Sequence, residues 1–190
     1  MLVTRGWMLA SLYLLSGWGV TPGAFADDAA AAQESVRTRF QSATVDQVPD
    51  FRRHVVPLFG RLGCNGRACH GSFQGRGGFR LSLFGYDFKA DHAALLNEES
   101  PRVDVRVAGD SLILNKPTST EDHEGGKRFE RDSWQFHLLR RWIESGAEYV
   151  PKTVDRLRAL EVTPSEILFS GSDEQTQLRA VAVWEDGTRE

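Results

Sequence analysis

Two stretches of the sequence place apolar residues at helical spacing. The first begins at Pro49-Asp50, and Pro57 inside it predicts a kink or an early end, because proline has no backbone N–H. Its predicted buried face holds Phe51, Val55, Leu58, Phe59 and Leu62. The second stretch begins at Asp132-Ser133 and ends at Gly146. Its predicted buried face holds Phe136, Leu138, Leu139, Trp142 and Ile143, with Trp142 packed against the first helix.

Shorter apolar patterns predict smaller elements between these two helices. The alternation over residues 79–83 is typical of a short strand, and residues 85–87 are typical of a turn. A helix is predicted to begin near Asp91. A helical turn over residues 112–114 is predicted to stop at Lys116-Pro117.

The C-terminal part of the chain has the pattern of β-structure. Strands are predicted over residues 160–164, 167–169 and 178–184, with a hairpin turn over residues 185–188. Three strands cannot close a β-sandwich, which needs about seven. We therefore expect this sequence to stop inside a second domain and to be a fragment of a longer protein.

The N-terminal 26 residues have the pattern of a secretory signal peptide. Arg5 precedes an apolar run, and Ala24-Phe25-Ala26 forms a cleavage site of the A-x-A type. A membrane anchor is the alternative, but the run is short for a span and is broken by serine and glycine. The mature chain is thus expected in the periplasm or outside the cell, without a stable membrane span. Residues 27–48 lack an apolar face and are interpreted as a linker or a weak helix.

The clearest candidates for a functional site are grouped in one motif, Cys64-Asn65-Gly66-Arg67-Ala68-Cys69-His70, which contains the only two cysteines of the sequence. A cysteine followed directly by histidine is typical of covalent haem attachment, in which two thiols add to the vinyl groups and the imidazole becomes the proximal iron ligand. The usual spacing is two residues, whereas four separate Cys64 from Cys69. Gly66 is expected to allow the extra residues to bulge by adopting a positive φ.

Two other interpretations of the motif remain open. A disulfide between Cys64 and Cys69 would also suit an oxidising compartment. A zinc site would use both cysteines, His70 and one further histidine, although structural zinc sites more often combine two cysteines separated by two to four residues with a distant ligand pair.

The sixth iron ligand cannot be a methionine of the mature chain, because Met1 and Met8 are both lost with the signal peptide. His123 is the favoured distal ligand, since it lies on a polar loop before two glycines and such loops commonly carry ligands. The alternatives are His54, His92, His137, Lys127 or an open position.

Charge gives a weaker signal than the motif does. The chain has 23 basic and 26 acidic residues, so its balance gives no reason to expect a nucleic-acid partner. Residues 60–89 are nevertheless locally basic, at +4. The basic residues are Arg61, Arg67, Arg76, Arg80 and Lys89, against Asp87 alone. One or two of them are expected to bind haem propionates, or the cluster is a solvated basic surface.

Residues 51–150 resemble the cytochrome c-like domain of large secreted planctomycete-type proteins, the domain that precedes regions called DUF1549 and DUF1553. The resemblance lies in GCNGRACHG, GGFRLSLFGYD, LNKP, HEGGKRF and LLRRWIESGA. It implies one haem c held by Cys64 and Cys69, with His70 as proximal ligand. Related domains place a methionine where this chain has His123. Residues 160–190 resemble the opening of a group 2 bacterial immunoglobulin-like domain, in VTP and DGT.

The expected fold is therefore mainly α, a small cytochrome c-like helical haem domain followed by the truncated start of an all-β immunoglobulin-like sandwich. The predicted divisions are a signal peptide (1–26), a linker (27–48), the haem domain (49–150), a connector (151–159) and the immunoglobulin-like start (160–190).

The expected function is single-electron transfer with bis-histidine ligation. The partners would be a redox protein of unknown identity and the rest of the chain itself. The alternatives are an open-site haem peroxidase or gas sensor, and a haem-free extracellular binding or structural module with a disulfide.

Overall fold

The computed structural model describes residues 31–151 and 156–190, a set of short helices followed by a two-stranded sheet. The elements are α1 (Val36–Arg39), a π-helical turn (Phe51–Val55), α2 (Val56–Leu62), a 3-10 turn (Leu83–Gly85), α3 (Phe88–Leu95), a second 3-10 turn (Ala108–Asp110), α4 (Leu112–Thr118), α5 (Trp134–Glu144), β1 (Leu157–Thr163) and β2 (Arg179–Trp184). None of the helices in these two ranges has the length and apolar character to cross a bilayer. The predicted signal peptide lies outside the described residues, as do residues 152–155 of the connector.

The first predicted helix is present and is divided just before Pro57, as its sequence predicts. Asp50 caps it by accepting hydrogen bonds from the N–H groups of Arg52 (2.8 Å) and Arg53 (2.9 Å). The chain begins as the π-helical turn and continues as α2, with Pro57 in the first turn of α2. A proline is tolerated there because the first N–H groups of a helix have no intrahelical acceptor.

The second predicted helix, α5, forms the centre of the hydrophobic core. Its N-terminus is capped by Ser133, and Gly146 follows its end with φ 103°. Trp142 is 0% exposed and stacks on Phe51 of the π-helical turn at 5.4 Å between ring centroids. The prediction that Trp142 packs against the first helix is confirmed.

The segment preceding the first helix also contributes to the core. Phe40, which follows α1, is 0% exposed and packs against the ring of His54 at 5.8 Å. The pattern of residues 27–48 gave no indication of this, because a single apolar residue does not define a face.

Two predicted strands are wrong. Residues 79–83 form no strand; Phe79 makes one isolated bridge to Arg76, and the N–H of Leu81 donates to the carbonyl of His70 at 2.8 Å. The alternation reflects the burial of Leu81 rather than pairing in a sheet. Residues 167–169 are likewise irregular, and Leu168 is 85% exposed, because no neighbouring strand among the described residues pairs with them.

The other predicted elements are present with shifted boundaries. Helix α3 begins at Phe88 rather than near Asp91, because the side chain of Asp87 caps it by accepting from the N–H of Ala90. Helix α4 continues through Pro117 to Thr118. The hydroxyl of Thr118 donates to the carbonyl of Leu114 at 2.9 Å and so stabilises this last turn.

The sheet is an antiparallel hairpin of β1 and β2, with Leu160 opposite Ala182. The turn predicted at residues 185–188 is present, since the N–H of Trp184 donates to the carbonyl of Thr188 at 2.9 Å. These few elements neither establish nor exclude a cytochrome c-like domain followed by an immunoglobulin-like start, so that fold assignment stays a prediction.

The hairpin contacts the π-helical turn through charged side chains. The guanidinium of Arg53 donates to Asp186 at 2.6 Å and lies over the ring of Trp184 at 4.5 Å. This hydrogen bond lowers the pKa of Asp186 to about 2. Glu190 faces His54 at 3.4 Å and Arg39 at 3.6 Å. Side chains of α1 and of the π-helical turn therefore hold the hairpin in place.

A buried carboxylate holds the segment after the cysteine motif against α3. Asp91 is nearly fully buried and accepts hydrogen bonds from the N–H and from the hydroxyl of Ser82, the latter at 2.8 Å. Burial raises the pKa of Asp91 above its ordinary value, despite these two hydrogen bonds. The pKa of Asp91 is therefore higher in the folded than in the unfolded chain. As pH rises from the unfolded-state pKa to the folded-state pKa, the contribution of Asp91 to the free energy of unfolding falls.

We expect Asp91→Asn to remove this pH dependence. Asparagine keeps an acceptor for the N–H of Ser82, gains a donor for its hydroxyl, and carries no charge. Its stability relative to the parent protein should rise from pH 4 to pH 7, measured by urea unfolding at both values. Asp91→Leu, which loses both hydrogen bonds, should cost about 1–3 kcal/mol. A parent protein that gains stability over Asp91→Asn as pH rises would contradict the argument.

Candidate cofactor site

A cavity of about 350 Å³ lies between α2, the segment after it, α4 and α5. Its lining is largely apolar: Phe59, Leu62, Phe79, Leu81, Leu112, Ile113, Pro117, Phe129 and Leu139. The polar or reactive groups in its wall include Cys64, Cys69, His70, Arg102, Lys116 and His123. An apolar cavity with a few convergent polar groups, in the range of about 300–1,000 Å³, is typical of a small-molecule site.

The cysteine motif begins where α2 ends. Gly63 takes a left-handed conformation with φ 77° at the C-cap, and the N–H of Cys64 then donates to the carbonyl of Phe59 at 2.9 Å. The prediction that Gly66 adopts a positive φ is wrong. Gly63, directly before Cys64, has a positive φ instead. Gly66 instead provides an acceptor: its carbonyl receives the N–H groups of Cys69 and Gly71, both at 3.0 Å.

These hydrogen bonds fold the four-residue spacer into a closed loop. The N–H of His70 donates to the carbonyl of Cys64 at 2.9 Å, which returns the chain to its starting point. Gly71 passes so close to Asn65 that a Cβ there would lie 2.0 Å from the Asn65 carbonyl oxygen. The motif therefore needs glycine directly after His70, and both cysteines reach the cavity wall despite the longer spacing.

The His70 ring is held by its Nδ1 atom. This nitrogen donates to the carbonyl of Phe79 at 3.1 Å, because a carbonyl oxygen can only accept. The ring of Phe79 packs against that of His70 at 4.8 Å. Burial lowers the pKa of His70, although the hydrogen bond to Phe79 opposes it. The neutral imidazole thus carries its free lone pair on Nε2, the state that a metal ligand requires.

His123 has the same arrangement in the facing loop. Its Nδ1 donates to the carbonyl of Gly126 at 2.8 Å, so Nε2 is the ring nitrogen that can act as a ligand. The rings of His70 and His123 lie 6.4 Å apart between centroids, with an interplanar angle of 17°. A metal–imidazole bond is about 2 Å long, so two ligating nitrogens lie about 4 Å apart and the ring centroids lie farther apart than that. The observed separation suits two imidazoles that share one metal ion.

Both cysteines are free thiols, so the structure contains no Cys64–Cys69 disulfide. Burial raises the pKa of Cys64 to about 11, although the charge of Arg128 opposes the effect. Disulfide formation starts from a thiolate, so a neutral buried Cys64 reacts slowly by that route. The guanidinium of Arg128 lies 3.7 Å from the Cys69 sulfur.

The alternative ligands are engaged elsewhere, and none of them lines the cavity. His54 accepts the N–H of Asp50 at 2.8 Å, and His92 contacts the carbonyl of Ala147 at 2.7 Å. His137 contacts the carbonyl of Gln41 at 3.1 Å, and Lys127 pairs with Glu130 at 2.6 Å. Of the distal candidates weighed from the sequence, His123 is therefore the one that faces His70.

Three basic residues of the site were not predicted as site residues. Arg102 and Lys116 line the cavity, and Arg128 lies beside the thiols. Lys116 is in α4, whereas Arg102 and Arg128 are in loops, and no pattern in the sequence indicated that the three lie near one site. Of the basic cluster predicted over residues 60–89, only Arg76 reaches the cavity wall. The position of these side chains depends on how the loops pack, which local pattern does not encode.

Within the described ranges no three His, Cys, Asp or Glu side chains are grouped to hold a metal ion. A haem iron needs only two axial protein ligands, because the porphyrin supplies the other four. No family model, no curated protein and no solved structure matches this chain. The resemblances to a cytochrome c-like domain and to an immunoglobulin-like domain therefore stay predictions.

Proposed function

We propose that this chain is an exported c-type cytochrome domain that carries one covalent haem and transfers single electrons. Cys64 and Cys69 would form the two thioethers, His70 would be the proximal ligand and His123 the distal ligand. The observation that carries the proposal is the convergence of two free thiols and two parallel imidazoles on one apolar cavity. Each imidazole has its Nδ1 bonded to a backbone carbonyl, so both are oriented before any ligand binds.

Each of the two histidines makes, through Nδ1, the hydrogen bond to a carbonyl that metal-ligating histidines usually make through the nitrogen that does not bind the metal. A hydrogen bond from Nδ1 to a carbonyl fixes the tautomer and the ring orientation, and it makes the free nitrogen a better ligand. Because these carbonyls belong to the backbone at Phe79 and Gly126, the two rings need not move when the charge at the site changes. Small rearrangement favours fast electron transfer.

The side chains of the cavity wall would set the environment of the bound haem. Apolar side chains such as Phe59, Phe129 and Leu139 would exclude water from a haem held in the cavity. When bound, haem would supply the one-electron chemistry through Fe(III) and Fe(II). A histidine in place of the usual axial methionine should give a lower reduction potential than His/Met cytochromes have. The redox partner would be another protein located outside the cytoplasm.

Covalent attachment is the test of this proposal. The chain should be expressed with its signal peptide in a host that has a cytochrome c maturation system. We expect denatured protein to retain one haem by mass spectrometry, and a pyridine haemochrome spectrum typical of two thioethers. Attachment requires both thiols and consumes no oxidant, since each S–H adds across a vinyl double bond.

The matched control is the Cys64→Ala, Cys69→Ala double variant, expressed in the same host. It should lose covalent haem completely while retaining the His70 and His123 side chains. Colourless parent protein with its thiols free, or joined to each other, would refute the proposal. The second result would favour the haem-free module with a disulfide.

A further inference from the structure

Arg102 is a fixed cation in the wall of the cavity. Its backbone N–H donates to the carbonyl of Leu95 at 2.9 Å, and its carbonyl accepts the N–H of Ile113 at 3.0 Å. The residue is thereby held between the end of α3 and the start of α4. Its guanidinium lies over the ring of Phe79, 5.3 Å from the centroid, and that ring packs on His70.

The hydrogen-bonding capacity of Arg102 is only partly used. One terminal nitrogen donates to the carbonyl of Gly77 at 3.2 Å, and no other side-chain hydrogen bond of Arg102 is made among the described residues. Among the described residues, no carboxylate is paired with Arg102. A guanidinium has five N–H donors, so the wall of this apolar cavity contains a cation with unused donors, an arrangement that favours an anionic ligand.

The other two cations of the cavity wall are already bonded. Arg76 faces Glu124 at 3.9 Å, and the Lys116 ammonium donates to the carbonyl of Asp122 at 2.7 Å. Arg76 also belongs to the basic cluster from which the sequence predicted a propionate ligand. Arg102, which lies outside that cluster, is the cavity-wall guanidinium without an acidic partner among the described residues.

We infer that Arg102 binds a carboxylate of the cavity's ligand, which is a porphyrin propionate if the proposed function holds. A guanidinium and a carboxylate form short, charge-assisted hydrogen bonds, and arginine matches the planar carboxylate geometry. Because propionates occur on one edge of the ring, this contact selects how the ring enters the cavity. Arg102 is a positioning residue that acts before the thioethers form.

Esterified haem separates this contact from general apolar binding. In the Cys64→Ala, Cys69→Ala background, haemin and haemin dimethyl ester are titrated into the full chain and followed by Soret absorption. The parent should bind haemin more tightly than the ester. Arg102→Gln should weaken haemin binding by about 10- to 100-fold, since a hydrogen bond to a charged group is lost. Its affinity for the ester should stay close to that of the parent.

Arg106→Gln is the matched control. Arg106 lies four residues away, its side chain is 87% exposed, and it faces Asp104 rather than the cavity. This variant should keep the parent's preference for haemin over the ester. Arg102→Lys keeps the charge without the planar geometry and should show an intermediate preference, which preserves the test if Arg102→Gln fails to fold.

Holoprotein gives an independent readout. With both cysteines present, Arg102→Gln should lower the reduction potential, because removing a positive charge near the iron favours the ferric state. If Arg102→Gln has the same ratio of haemin affinity to ester affinity as the parent, the inference about Arg102 is wrong, and the proposed function is unaffected. Failure of every variant, the parent included, to bind haemin overturns both this inference and the proposed function.

Discussion

Replacing His123 with alanine is expected to convert a low-spin, six-coordinate haem into a five-coordinate one that binds carbon monoxide once reduced. The parent should resist carbon monoxide, because the His123 ring faces His70 at 6.4 Å and is fixed by its hydrogen bond to Gly126. Absorption spectra of oxidised and reduced protein, with and without carbon monoxide, measure the change. The effect should be complete rather than partial, since His54, His92 and His137 do not line the cavity and cannot replace His123 opposite His70.

His137→Ala is the control for this change. His137 contacts the carbonyl of Gln41 on the other side of α5, so its removal should leave the low-spin spectrum intact. His123→Met should keep six coordination and raise the reduction potential, as axial methionine does in c-type haems. A His123→Ala protein that stays low-spin and excludes carbon monoxide would dismiss His123 as ligand. A parent that binds carbon monoxide readily would favour the peroxidase or sensor alternative.

Replacing Trp142 with alanine should destabilise the helical part by about 3–5 kcal/mol. Trp142 is fully buried, stacks on Phe51 at 5.4 Å, and donates from its indole nitrogen to the carbonyl of Glu148 at 3.0 Å. Truncation removes the ring contacts and leaves a large void between α5 and the π-helical turn. Urea unfolding followed by far-UV circular dichroism gives the free energy, because tryptophan fluorescence changes with the substitution itself.

Trp142→Phe separates packing from the hydrogen bond. Phenylalanine keeps an aromatic ring against Phe51 and loses only the indole donor, so it should cost about 1 kcal/mol. Neither variant changes a residue that lines the cavity, and the haem spectrum of the folded fraction should remain that of the parent. An alanine variant as stable as the phenylalanine one would mean that Trp142 is not central to the core.

Regular elements were predictable wherever one periodicity extended over several turns. Helix α5 agrees with its prediction because its apolar residues and its Ser133 and Gly146 boundaries all favour the same element. The alternation over residues 79–83 was misleading because two apolar residues can face a cavity without belonging to a sheet. The prediction for residues 167–169 failed because a strand exists only when another strand pairs with it.

The reactive residues can be identified from the residue order alone: two cysteines, a histidine directly after the second of them, and a chain with no methionine after its predicted signal peptide. These follow from composition and adjacency, which folding does not change. Folding of the chain is what brings His123, 53 positions beyond His70, opposite it and places Arg102 in the same cavity wall. Both residues come from polar loops, whose positions depend on backbone hydrogen bonds to distant segments, such as that from Arg128 to Pro117. Such contacts have no period along the chain, so they become visible only once the chain is folded.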